Sequence, residues 1–263
     1  MMSLKNIFLE NYTLLLGNLS VGTLCGVIGY FLLIKKMSSL ADGLAHSFFG
    51  INAMCILTGL DPSVIFFFLL PVLYIFLKRN SKSTYRDPII TAVSIFFMAL
   101  GAFIYNIKPQ IKEKIIKSFF GNIMEIKPFE SWILFFLLLV VIFLIWIKYN
   151  YLLAYIFSEK FIFPLSKKKI IETTFISFST IVISVCIKYC GSLLIMGITI
   201  FPGMLSQMIV KNFKQGLFFS FFFSMIISFI SYCCGIYFNL TPSIINILCS
   251  SIIFFIFNIF YKK

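Results

Sequence analysis

The single histidine of this chain, His46, stands four residues after an aspartate, Asp42, in an otherwise apolar stretch. At that spacing both side chains project from one face of an α-helix. If the helix begins after Lys36, His46 lies about 15 Å along it, near the middle of a hydrocarbon core about 30 Å thick. Divalent transition metals accept imidazole nitrogen and carboxylate oxygen as ligands. The spacing predicts half of a metal site, and the alternative is an Asp–His pair that only steadies packing.

Asp42 differs in position from the other acidic residues of the chain. Those residues fall in loops or at the ends of apolar runs: Glu10, Asp61, Asp87, Glu113, Glu125, Glu130, Glu159 and Glu172. An acid within a membrane is costly and usually faces a cavity or a partner. We therefore expect Asp42 to face such an environment, with further ligands from other helices, water or a symmetry-related chain.

Long apolar stretches recur throughout the 263 residues, of which 60% are hydrophobic and 12% charged. A helix needs about 20 mainly apolar residues to cross a bilayer. We predict an all-α, polytopic transmembrane bundle that forms one integral membrane domain over residues 1–263. The nine predicted segments are 13–34, 40–59, 62–77, 88–105, 131–147, 170–187, 190–209, 216–237 and 242–260. Eight spans is the alternative, because the second and third segments are short or weak.

The basic residues mark the ends of the apolar runs, which favours a membrane topology over nucleic-acid binding. Alternation of nine spans places fifteen Lys and Arg residues on one side and seven on the other. By the positive-inside rule the richer side is cytoplasmic. The N-terminus is then outside and the C-terminus inside.

Two connections are longer than tight turns, and one span contains helix breakers. We expect residues 106–130 to lie outside with a short interfacial helix, and residues 148–169 to form an inside loop.

Gly191, Gly197, Pro202 and Gly203 interrupt the seventh segment. Broken helices often flank the substrate path of transporters, although glycines also serve close helix packing.

The stretch around the Asp–His pair, "KKMSSLADGLAHSFFGI", resembles the second-helix motif of the metal-type ABC transporter permeases, the importers of zinc, manganese or iron. The matching residues are Lys35, Lys36, Met37, Asp42, Leu44, Ala45, His46, Ser47 and Gly50. Ala41 departs from the usual glycine. The resemblance implies that Asp42 and His46 contact the transported metal, and "LAHSFFG" is closest to the zinc permeases.

Two further stretches match family elements in the same order along the chain. Residues 118–130, "SFFGNIMEIKPFE", resemble the L-F-G-[ND]-[IL]-L-x-[VI] element. Residues 188–209, "KYCGSLLIMGITIFPGMLSQMI", resemble the K-x-V-G-x-L-[LI] run that ends in P-A-x-x-A. Cys190 and Gly203 replace the common Val and the first Ala of this element.

The inside loop occupies the place of the segment that docks the ATPase in this family. Within "FSEKFIFPLSKKK", residues 157–169, the docking residues would be Ser158, Glu159 and Lys160, and Ser158 replaces the usual Asp. The resemblance also implies a homodimer of permease chains, cytoplasmic ABC ATPase subunits and an extracytoplasmic metal-binding protein. It implies a location in a bacterial cytoplasmic membrane. It implies no permanently bound cofactor, only the transported divalent metal.

Enzymatic alternatives lack their motifs in this sequence. No G-x-x-x-x-G-K-[ST] occurs, so ATP hydrolysis is expected on a separate chain. H-E-x-x-H is absent as well, which argues against an intramembrane metalloprotease. An ATP-independent secondary transporter or channel, using the same Asp–His pair, remains the rival from another class.

Overall fold

The computed structural model describes residues 12–60, 86–108, 121, 126–156, 165–192 and 194–260. Within these residues the chain forms nine α-helices and no strand. The helices are α1 (Tyr12–Ile34), α2 (Ser39–Thr58), α3 (Arg86–Ile107), α4 (Pro128–Ile147), α5 (Tyr149–Ile156), α6 (Leu165–Cys190), α7 (Ile195–Ile209), α8 (Phe213–Phe238) and α9 (Pro242–Phe260). The all-α prediction is confirmed.

Seven of the described helices are long and apolar enough to cross a membrane, and α7 is a shorter apolar helix. Eight of the nine predicted segments correspond to described helices. The remaining segment, 62–77, lies outside the described residues. A helix satisfies its backbone hydrogen bonds internally, which is why long apolar runs take this form in lipid.

Of the four residues predicted to interrupt the seventh segment, only Gly191 lies at a break in the described helices. Helix α7 continues through Gly197, Pro202 and Gly203, and the break before it lies at Gly191, where φ is +87°. Proline lacks a backbone N–H, so one carbonyl of the helix loses its donor. In a membrane helix, neighbouring groups can satisfy that carbonyl. Glycine adopts positive φ without a steric cost, so Gly191 ends α6.

The predicted inside loop, 148–169, is partly helical. Helix α5 begins at Tyr149, and α6 begins at Leu165, five residues earlier than the predicted segment. Tyr155 of α5 is buried against Phe175 of α6, with 5.5 Å between their ring centroids. Tyr155 thus has a packing partner in α6, which the sequence pattern did not reveal. The predicted outside connection, 106–130, lies mostly outside the described residues.

The chain divides into two compact units. The first, here the α1 unit, consists of residues 1–33, 122–146 and 197–263; the second, the α2 unit, consists of residues 34–121 and 147–196. The prediction of one membrane domain stays a prediction.

In the α1 unit, α1 contacts its neighbours through a face of glycines. A Cβ atom on Gly29 would lie 1.7 Å from the backbone oxygen of Thr199 in α7. A Cβ atom on Gly22 would lie 1.8 Å from the Oγ of Ser228 in α8. Small residues allow helix backbones in membranes to approach this closely.

The same unit contains a buried network of neutral polar groups between α1, α8 and α9. Asn18 Nδ2 donates to the backbone oxygen of Ser228 at 2.6 Å and to the Oγ of Ser231 at 3.4 Å. Asn246 Nδ2 donates to the Oγ of Ser228 at 3.0 Å. Asn18 and Asn246 are 2% and 4% exposed. Interhelical hydrogen bonds of this kind fasten membrane helices to one another.

The α2 unit is built around close packing of α2 on α3, and α2 also packs against α6. A Cβ atom on Gly50 would lie 2.0 Å from the backbone oxygen of Phe97 in α3. Further along, Ala53 and Ile104 form a small buried cluster. One face of α2 is therefore fixed by α3, and this contact orients the residues on its other faces.

Candidate functional site

A tight turn positions the start of α2, the helix that carries the predicted metal pair. Lys36 has a φ of +55°, and the backbone N–H of Leu40 donates to the oxygen of Met37 at 3.0 Å. Helix α2 begins at Ser39, so Asp42 lies in its first turn. A carboxylate is favoured there because the N-terminal end of a helix carries partial positive charge.

The late start of α2 corrects the predicted position of the pair along its helix. We expected a helix from just after Lys36 and His46 about 15 Å along it. With the helix beginning at Ser39, His46 lies about 10 Å from its start. The pair is thus closer to one end of the helix than the sequence indicated.

The structure brings Asp42 and His46 together as predicted. His46 Nε2 lies 3.2 Å from Asp42 Oδ1, and the two side chains are 29% and 47% exposed. Their helical neighbours Gly43 and Ala45 are buried, and a Cβ atom on Gly43 would lie 2.3 Å from a methyl carbon of Ile90. The pair therefore occupies an open face of a helix whose adjacent face is packed.

The separation of the two atoms suits chelation of one ion. Two ligands bound at about 2.1 Å and a tetrahedral angle lie about 3.4 Å apart. At the right angle of an octahedral ion they lie about 3 Å apart. The observed 3.2 Å falls between these values. The separation of the two atoms is therefore compatible with both coordination geometries.

The pair supplies two ligands only. Among the described residues, no group of three or more His, Cys, Asp and Glu side chains is arranged to hold a metal ion. A structural metal site usually has four protein ligands, and an open site has fewer. The predicted docking residues Ser158, Glu159 and Lys160 lie outside the described residues, so their role stays a prediction.

Two features were missed at the level of sequence. The Asn18 network is one, and its signal is the recurrence of small residues every three or four positions in α1 and α8. The other is a contact of Lys35, whose Nζ donates to the backbone oxygen of Tyr155 and lies 3.7 Å from the centroid of that residue's ring. A lysine at the end of an apolar run has the same sequence signature whether or not it makes such a contact.

The seven membrane-length helices define a multi-pass membrane protein, and an ionisable pair on one of them is typical of proteins that move ions or polar solutes. The chain belongs to the ABC 3 transport family, whose model matches residues 10–261. This match confirms the family resemblance and the location in a bacterial membrane.

Relatives named for two different metals cover nearly the whole chain. The high-affinity zinc uptake system membrane protein ZnuB of Buchnera aphidicola subsp. Baizongia pistaciae is 30% identical over 246 residues, covering 90% of this chain and 92% of that protein. The manganese import system permease protein ScaB of Streptococcus gordonii is 23% identical over 255 residues, covering 95% and 90%.

A solved structure has the same fold. It is described as PsaBC from Streptococcus pneumoniae in complex with Fab, and the two chains superpose with a TM-score of 0.76. The match covers 96% of this chain and 95% of that chain at 22% identity.

Proposed function

We propose that this chain is the permease subunit of an ABC importer that moves a divalent transition metal, zinc, across the cytoplasmic membrane. The observation that carries the proposal is the 3.2 Å approach of His46 Nε2 to Asp42 Oδ1 on an open face of a membrane-length helix. The energy comes from a separate ABC ATPase, and an extracytoplasmic protein delivers the metal. A second permease copy completes the membrane pathway.

The chemistry of the pair suits a passing ion better than a resident one. A metal that leaves water needs replacement ligands, and the carboxylate also offsets its charge in a medium where charge is costly. Two protein ligands hold an ion less firmly than the four of a structural site. Asp42 and His46 would thus form a transient binding site for the transported metal.

Zinc and manganese are the two cargoes to be separated. The relatives include a protein named for zinc and others named for manganese, and the 3.2 Å separation suits both coordination geometries. Imidazole is a good zinc ligand, whereas manganese prefers oxygen ligands. The histidine favours zinc as the proposed cargo, with manganese as the second candidate.

The test is metal uptake in cells that lack their own zinc importer and are supplied with the cognate ATPase and binding protein. Asp42→Asn removes the charge and keeps the shape, and His46→Ala removes the nitrogen ligand. We expect each variant to lose uptake at least tenfold with unchanged protein abundance, because changes in the outer shell of a metal site alone cost about 10–100-fold in affinity. Zinc and manganese uptake are measured on the same cells as abundance.

Glu130→Gln is the matched control. This change also removes one carboxylate charge, from a residue whose Oε2 accepts the backbone N–H of Lys127 at 3.2 Å at the start of α4. Uptake should stay normal in this variant. Normal uptake in both pair variants would refute the proposed role, and so would a fall in abundance that accounts for the lost uptake. Metal flux in liposomes without an ATPase would instead identify a secondary transporter or channel.

A further inference from the structure

Lys35 makes two interactions with a single residue of another segment. Its Nζ donates to the backbone oxygen of Tyr155 and lies 3.7 Å from the centroid of the same residue's ring. That ring packs against Phe175 of α6, and both aromatic side chains are more than nine-tenths buried. The lysine thereby joins the turn that precedes α2 to α5 and α6.

The position of the acceptor explains why a cation binds there. Tyr155 is the last residue but one of α5, an eight-residue helix that ends at Ile156. The last four carbonyl groups of a helix have no donor within the helix. The same end carries partial negative charge, which favours a cation. Lys35 therefore caps the C-terminal end of α5 while the Tyr155 ring holds the ammonium from the side.

The contact lies between two functionally important stretches. Downstream of Lys35, the tight turn at Lys36 leads into α2 and its residues Asp42 and His46. Tyr155 lies on the helix that directly precedes the predicted ATPase-docking residues in sequence. Helix α6 completes the connection, because both α2 and α5 pack against it.

We propose that Lys35 is a positioning residue that fixes α5 to the turn before α2 and so transmits a displacement of α5 to Asp42 and His46. This inference rests on the proposed function in so far as the displacement originates in an ATPase. Lys35 itself does not touch the cargo. If Lys35 served only as a positive charge that sets the membrane topology, a neighbouring lysine could supply the same charge, and loss of Lys35 would have little effect.

The first experiment measures coupling in the complete transporter, with ATPase subunits and binding protein, in liposomes. We expect Lys35→Met to lower zinc uptake per ATP hydrolysed at least tenfold while hydrolysis continues. Lys35→Arg keeps a cation and a donor and should restore most of the coupling. Lys36→Met is the control, since it removes the same charge from the exposed neighbouring residue and should couple normally.

A second measurement follows the accessibility of the start of α2 and does not depend on metal transport. The variant Ser38→Cys places a thiol at the start of α2, and a maleimide labels it with and without ATP and vanadate. The labelling of the chain without this substitution is the background and is subtracted. We expect nucleotide to change the labelling rate at least threefold when Lys35 is present and to leave it unchanged in Lys35→Met.

The two measurements separate failure of the proposed function from failure of this inference. A wild-type complex that moves neither zinc nor manganese refutes the function, whereas labelling at Ser38 still tests Lys35. An equal nucleotide response in Lys35→Met and wild type overturns the inference. The inference is also overturned if nucleotide does not change the labelling rate in the wild type. It is overturned as well if Lys35→Met only reduces the amount of assembled complex, or if Lys36→Met uncouples transport from ATP hydrolysis to the same degree.

Discussion

Each unit of this protein contains a polar cluster inside apolar helices, and the two clusters differ in exposure and in the type of partner. In the α1 unit, Asn18 and Asn246 are almost completely buried, and their amide groups donate to serines of α8. In the α2 unit, Asp42 and His46 pair with each other and leave 47% and 29% of their side chains exposed. The neutral groups are closed in by protein, and the ionisable groups are left open.

This difference follows from the cost of each group in an apolar environment. A neutral amide can be buried once its hydrogen bonds are made. A carboxylate needs a counter-charge, a metal or water, and it is retained in a membrane segment mainly where it serves transport. Burial and partner type therefore distinguish polar residues that hold helices together from those available to a solute.

The strongest test of the comparison is to place a carboxylate in the closed network. Asn18→Asp is isosteric, but it replaces an amide that donates to the Ser228 oxygen at 2.6 Å by an acceptor. An aspartate at the centre of a membrane helix costs about 2.5–3.5 kcal/mol on insertion scales. We expect the amount of folded protein, measured by fluorescence-detected size exclusion, to fall severalfold.

Asn212→Asp is the control for that change. Asn212 is exposed and precedes α8 as its N-cap, where aspartate is as favourable as asparagine. The amount of folded protein should not change. An Asn18→Asp protein that is as abundant as the wild type would contradict the view of the network as a closed one.

A smaller effect is expected from the glycine packing elsewhere on the same helix, α1. In Gly29→Ala the new Cβ atom would lie 1.7 Å from the backbone oxygen of Thr199, so α1 and α7 must separate. Overpacking typically costs about 1–3 kcal/mol, and we expect the thermal unfolding midpoint of the detergent-solubilised protein to fall by several degrees.

Gly197→Ala is its matched comparison in α7. There the Cβ atom would meet only side-chain carbons of Ile247, at 3.0 Å or more. These carbons can shift, so the midpoint should change little. If the two variants unfold at the same temperature, backbone-to-backbone contact at Gly29 does not limit stability.

The smallest effect is expected from removing one hydrogen bond of the network. Asn246→Ala deletes the donor to the Ser228 Oγ. Interhelical hydrogen bonds in membrane proteins contribute about 0.6 kcal/mol on average and about 1.7 kcal/mol at most. A midpoint shift of a few degrees or less, with metal uptake per folded molecule unchanged, is the expected result. Selective loss of uptake would place Asn246 in the transport path and remove the distinction between the units.

The sequence predicted the helices and the Asp42–His46 contact for the same reason, because both depart strongly from average composition. Apolar runs of membrane length require helices, and Asp42 is conspicuous as the acid within such a run. The start of α2 was harder to predict. A positive φ usually occurs at glycine, and here it occurs at Lys36, which gives no such signal in the sequence. Pro202 was taken for a break because the sequence does not show the neighbours that accommodate it.

Contacts between distant segments were beyond the sequence. Asn18 is one amide in a long apolar run, and nothing near it identifies Ser228 as its acceptor. Lys35 matches the pattern of a topology marker, and its contact with Tyr155 depends on the folding of a stretch that was predicted to be a loop. Both features require the packing of helices, which composition and periodicity do not determine.

The bond between Asn18 and Ser228 also bears on how the protein is made. Its two residues are 210 positions apart in the chain. At about 5–20 residues per second, the ribosome needs about 10–40 s to synthesise the intervening length. Helix α1 leaves the translation machinery before α8, so its Asn18 amide and its glycine face lack these neighbours at first. During that interval the amide needs another hydrogen-bond partner, such as water, a lipid headgroup or an insertion factor, so α1 is synthesised well before the helices it finally packs against.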